Sequence, residues 1–100
     1  MQKERIRHMV LFCLMYDKDG TETEKFLQDG QTILSTIPVV EKFEVLKQIS
    51  PKNEYDFGFS MEFSDKAAYE MYNANLLHVD FVKDRWLKEV TKFLEIDFQL

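Results

Sequence analysis

Three glycines, two prolines and one cysteine are all that this 100-residue chain has of the residues that punctuate or cross-link a backbone. Three scattered glycines cannot build a P-loop or a dinucleotide-binding turn, which need several at fixed spacing. The lone thiol, Cys13, makes no internal disulfide and cannot by itself hold zinc or an iron–sulfur cluster, so a reduced, cytosolic (cytoplasmic) setting is expected. It sits within an apolar run, where a thiol reads as core and not as a nucleophile. Long apolar stretches are also missing. The longest, Met9 to Tyr16, is eight residues, against about 20 for a membrane span. Lys3, Arg5 and Arg7 precede it without a small-residue cleavage site, so no leader is read there. Cationic residues are scarce too: 13 Lys and Arg against 18 Asp and Glu give a net charge of −5. Without a basic block, neither nucleic acid nor a membrane is an expected partner.

What the chain does have is apolar and aromatic bulk, with nine phenylalanines, four tyrosines and one tryptophan. That is enough for one core, one domain over residues 1–100, and a cavity or an interface besides. Residues 6–16 read as a strand that is apolar on both faces beyond His8. Asp17 to Gly20 is a turn. A helix is expected over about 22–36, with Thr21 and Glu24 as a capping box and Phe26, Leu27, Ile33, Leu34 and Ile37 on one stripe, ended by Pro38. Gly30 interrupts it, either as a close approach to the sheet or as a tolerated weak spot. Lys42 to Ile49 is a second strand. The third has the cleanest alternation: Tyr55, Phe57, Phe59, Met61 and Phe63 against Asp56, Gly58, Ser60 and Glu62. Ser64 or Asp65 caps a helix from Lys66 to Tyr72, Asn73 to Asn75 break it, and His78 to Lys88 form a further amphipathic segment. The last strand, Val90 to Phe98, presents Val90, Leu94, Ile96 and Phe98 on one face.

The order β-α-β-β-α-β is the split βαβ, or ferredoxin-like, α+β fold, a four-stranded antiparallel sheet with helices on one face. The helices can cover only one side of strand 6–16, and its other side is apolar as well. A second copy of the same sheet is the economical cover, so a homodimer is expected.

Three residues stand out for chemistry: His8 in the first strand, Tyr72 and His78. Read alone, the histidines need be no more than an edge residue and a helix-start residue. Two histidines without a third ligand give no metal site. Six residues separate Tyr72 from His78, about 240° on a continuous helix. They can share a cavity only if the chain breaks between them.

Arg7 to Phe12 resembles the opening strand of the stress-responsive dimeric α/β-barrel (Dabb) family. Ile37 to Val40, Ser50 to Asn53 with Tyr55-Asp56, Phe63 to Ala68, Leu77 to Val82 and Glu95 to Phe98 extend the resemblance over about residues 5–98. It implies a ferredoxin-like protomer whose sheet packs on a partner's to form a dimeric α/β barrel. One plant member is similar to a polyketide cyclase, with a histidine and a tyrosine as acid/base pair and a second histidine in the pocket. Tyr72 and His78 match that pair by position, and His8 the other. The family's His-Pro-Ala-His stands here as Asn75-Leu76-Leu77-His78.

Three functions follow as expectations. One is a homodimer with an apolar ligand pocket and no defined catalysis. Another is an acid/base enzyme on a small carbonyl-bearing substrate, with His78 as base, Tyr72 as orienting or polarising phenol and His8 as a second donor. The third is a barrel resembling the cofactor-free monooxygenases. None calls for a cofactor. If the even residues of strand 6–15 face the helices, the cavity is floored by Val10 and Phe12 and roofed by Phe81 and Val82.

Overall fold

Phe57, Phe59, Met61 and Phe63 alternate with Gly58, Ser60 and Glu62 at the heart of the sheet, and every residue of that strand is buried. The computed structural model of the protein describes residues 4–100, so Lys3 lies outside them. The strands are β1 (Ile6–Leu14), β2 (Glu41–Lys47), β3 (Phe57–Phe63) and β4 (Val90–Gln99). They form one antiparallel sheet in the order β2-β3-β1-β4. The helices are α1 (Thr21–Leu34), α2 (Lys66–Ala74) and α3 (Leu76–Phe81). The chain runs on from α3 through a π-helical stretch, Val82–Trp86, and a last turn, Leu87–Glu89.

Along β1 the even residues His8, Val10, Phe12 and Leu14 are buried against the helices. Phe26, Leu27 and Leu34 of α1, Ala68 and Tyr72 of α2 and Phe81 of α3 close the core from that side. Gly30 is a close approach: a Cβ there would meet Phe59 Cζ at 2.6 Å.

Several boundaries differ from the sequence reading. The first helix opens at Thr21 with extended Gly20 as its N-cap, so Thr21 and Glu24 form no capping box. Thr23 secures the turn before it, donating to the Asp17 carbonyl at 2.6 Å. The helix stops at Leu34, ahead of Pro38, and unwinds through tight turns at Ser35 to Ile37. The second strand ends at Lys47, and Ile49, expected within it, is almost wholly exposed. Tyr55 precedes β3 and lies under Lys92, whose Nζ is 5.1 Å from its ring centroid. Asp65 caps α2, accepting from the Ala68 N–H at 2.9 Å. A register shift between Cys13 and Leu14 pairs Val90 with Leu14 and Lys92 with Cys13, so Val90 joins the helix-side core while Leu94, Ile96 and Phe98 occupy the other face.

That other face is open. Met9 and Leu11 of β1 lie beside Ile96 and Leu94 of β4 and Cys13 beside Lys92, with Met15, Leu94 and Phe98 well exposed. At one end a charged cluster replaces the apolar surface. Glu62 takes Arg7 at 2.8 Å, Arg5 at 3.1 Å and Lys42 at 3.7 Å. These cations, Arg7 and Arg5 first, hold its carboxyl down at about 2. Lys42 reaches it from a bulge in β2 where its own φ is 52°.

Candidate functional site

A cavity of about 230 Å³ lies between the sheet and the α2–α3 segment. Asn75 builds its roof. This residue ends α2 and caps α3, its side chain accepting from the Leu77 N–H at 2.9 Å. The resulting bend turns His78 back onto Tyr72, with ring centroids 4.3 Å apart. Past α3 the π-helical turn is wider than an α-turn, which brings Val82, Trp86 and Leu87 to the same wall. Arg85 holds that turn to α1 through Asp29 at 2.7 Å and pairs with Glu89, which accepts from the Tyr16 hydroxyl at 2.9 Å.

His8, Tyr72 and His78 all line this cavity, together with Val10, Phe81 and Val82. Phe12 does not, which corrects the expected floor. Trp86 and Phe26 cover its ring at 4.9 and 5.8 Å, and Phe59 and Met61 take its place. Sequence reasoning also missed Tyr69, Asp97 and Glu95. Asp97 stands directly opposite His8 in the β1–β4 ladder. Its Oδ1 accepts from His8 Nδ1 at 2.6 Å, and its Oδ2 from the Tyr69 hydroxyl at 3.0 Å. Tyr69 Oη lies 2.9 Å from the same ring nitrogen. The carboxylate therefore fixes the His8 proton on Nδ1 and points Nε2 elsewhere. His78 is held likewise, with Nδ1 at 3.3 Å from the Asn73 carbonyl.

Among the described residues every buried side-chain nitrogen or oxygen is hydrogen-bonded or open to solvent. Among the described residues, nothing hydrogen-bonds His8 Nε2 or the Tyr72 hydroxyl, so both open onto the cavity they line. Burial pushes the Tyr72 phenol far up, helped by Tyr69 and Glu95, so it serves as a hydrogen-bond donor and not as a base. Burial pulls His78 down, and neighbouring His8 adds to this against the opposing pull of the Asn73 carbonyl. A neutral imidazole with Nδ1–H tied to a carbonyl presents the Nε2 lone pair, which can take a proton. Among the described residues no group of three or more His, Cys, Asp and Glu is placed to hold a metal. No helix among them is long and apolar enough to cross a membrane.

This architecture occurs in solved structures. A Dabb family protein with a ferredoxin-like fold from Mesorhizobium loti is 53% identical, with a TM-score of 0.96 over 98% of each chain. A dimeric ferredoxin-like protein of unknown function from Thermobifida fusca is 17% identical, with a TM-score of 0.78 over 100% of this chain and 94% of that one. The hydroxynitrile lyase of Passiflora edulis is 12% identical, with a TM-score of 0.83 over 97% of this chain and 94% of the lyase. At such identities the last two share the fold alone. No curated protein matches the sequence. The family profile of the stress responsive A/B barrel domain (Dabb) matches residues 6–100, and the chain belongs to that family.

Proposed function

We propose that two copies of this chain pair through their open sheet faces, and that each protomer holds a small, mainly apolar ligand in the cavity between sheet and helices. The observation that carries the ligand reading is the lining itself. Its walls are aliphatic and aromatic, and His8 Nε2, the Tyr72 hydroxyl and His78 converge on the space they enclose. An apolar pocket with a few convergent polar groups is the usual form of a small-molecule site. The pairing rests on the exposed Leu94, Phe98 and Met15 beside Leu11, and the similar Thermobifida fusca protein is dimeric. Benzyl alcohol, a neutral ring with one short polar arm, is the test ligand. In two-dimensional amide NMR spectra its shifts are expected to concentrate at Tyr72, His78, Phe81, Val82 and Trp86, and Val82→Phe should abolish them by filling the space. Shifts scattered over the surface, or none, would exclude the pocket.

A second reading is favoured by one detail, the pair of fixed tautomers. With both Nδ1 protons tied down, His78 offers its Nε2 as base beside a phenol that can polarise a carbonyl oxygen. His8 in the same tautomer accepts at Nε2 and donates there only as imidazolium. Proton removal next to a carbonyl is the reaction this suits. In D2O, α-proton exchange of acetophenone should exceed the buffer rate and disappear in His78→Gln. His78 must be neutral to act, so the rate should climb with pH and level off, with a midpoint below the ordinary histidine value of about 6.5. Equal rates with and without protein would sink this reading.

A further inference from the structure

We propose that Glu95 makes the cavity charge-selective: it admits a ligand whose outer end is neutral or cationic and donates a hydrogen bond, and it turns carboxylates away. The inference rests on the pocket reading above and narrows the class of ligand.

By register, β4 presents Phe93, Glu95 and Asp97 to the helix side, opposite Phe12, Val10 and His8. Asp97 is already engaged by His8 and Tyr69. Glu95 has no ion pair and no side-chain hydrogen bond among the described residues, although it lines the cavity. His8 and Tyr72, deep in the cavity, are almost wholly buried, whereas Glu95, Phe93 and Leu87 are exposed, so these three form the mouth.

The charge count points one way. Among the described residues of the lining, Glu95 is the one carboxylate, and apart from the two histidines the other ionisable group, Tyr72, stays a phenol. His78 is biased towards its neutral form by burial. Any positive charge on His8 is cancelled by the Asp97 carboxylate it touches. The cavity therefore carries a net negative charge whichever form His8 takes, within a chain already at −5. Low-dielectric walls strengthen that field relative to open water. A second carboxylate at the mouth would be repelled, whereas an ammonium or hydroxyl would give Glu95 the donor it lacks.

The experiment titrates full-length protein with benzylamine, benzyl alcohol and benzoate at about pH 8, above the usual histidine range. Emission of Trp86, the chain's one tryptophan and a wall residue, reports binding. Benzylamine should bind at least about fivefold more tightly than benzoate, and about 1 M salt should narrow the gap. Glu95→Gln should bring the ratio to within about twofold, whereas Glu70→Gln, the same charge loss on the exposed surface of α2, should preserve it. A ratio near one in the wild type, or an unchanged ratio in Glu95→Gln, overturns the charge inference while leaving the pocket standing. Absence of benzyl alcohol binding overturns the pocket reading and this one with it.

Discussion

Leu11→Lys is expected to yield a species of one chain, 12.0 kDa, in sedimentation at micromolar concentration, where the proposed pairing predicts twice that mass for the wild type. Leu11 lies on the open face between Gly58 of β3 and Leu94 of β4. Gly58 makes room for it, since a Cβ there would come within 3.3 Å of Leu11 Cδ2. In a monomer the new ammonium would stand in water, so far-UV circular dichroism should be retained. In a face-to-face dimer it would be buried unpaired at a cost of about 3–5 kcal/mol, and two-fold symmetry applies that cost twice. The dimer should weaken by at least about a thousandfold. A variant that sediments like the wild type would mean that this face is not the interface. The Arg5–Arg7–Glu62–Lys42 cluster flanks the face at one end, with three cations gathered on one carboxylate.

Phe59→Ala is expected to be the most destabilising single truncation in the core, by about 3–5 kcal/mol. A domain of this size is stable by only about 5–15 kcal/mol. The Phe59 ring packs on Phe12 at 4.8 Å, on Phe43 at 5.3 Å and on Phe26 and Trp86 at 6.3 Å, and it also lines the cavity. Its contact with Gly30 makes the prediction sharper. On helix propensity alone Gly30→Ala should stabilise α1 by about 1 kcal/mol. In the wild type that methyl would press into a fixed aromatic ring, and overpacking of this kind costs about 1–3 kcal/mol. Gly30→Ala should therefore destabilise the wild type yet stabilise Phe59→Ala, a coupling readable from urea unfolding of the four proteins. If it stabilises both backgrounds equally, α1 does not rest on Phe59 as described.

The element order was legible because alternation with period two is strong in β3, where one face is a wall of aromatics. By contrast, β1 is apolar on both faces, and its helix-facing parity followed only on the condition that His8 and His78 share a cavity. The bend at Asn75 was legible because Tyr72 and His78 cannot share a side of an unbroken helix. Glu95 and Asp97 were visible in principle. They alternate with Leu94, Ile96 and Phe98, and once those face away from the helices the acids must face them. The apolar parity of β4 drew the attention, and the shift of Val90 to the other face depends on a bulge that periodicity does not announce. Phe12 was misplaced because Trp86 reaches it from a π-helical turn, which a period of about 3.6 residues cannot foresee. Thr21 and Glu24 match a capping pattern, but the preceding turn, secured by Thr23 on Asp17, leaves Gly20 in the cap position.

The arrangement of the two histidines around one cavity is open to direct measurement by long-range proton–nitrogen correlation spectra of the imidazole rings, of which the chain has two. In its neutral form each ring should carry its proton on Nδ1, His8 held by Asp97 and His78 by the Asn73 carbonyl, and added benzyl alcohol should shift both Nε2 resonances together. A neutral ring with its proton on Nε2, or a response from one ring alone, would contradict the shared site.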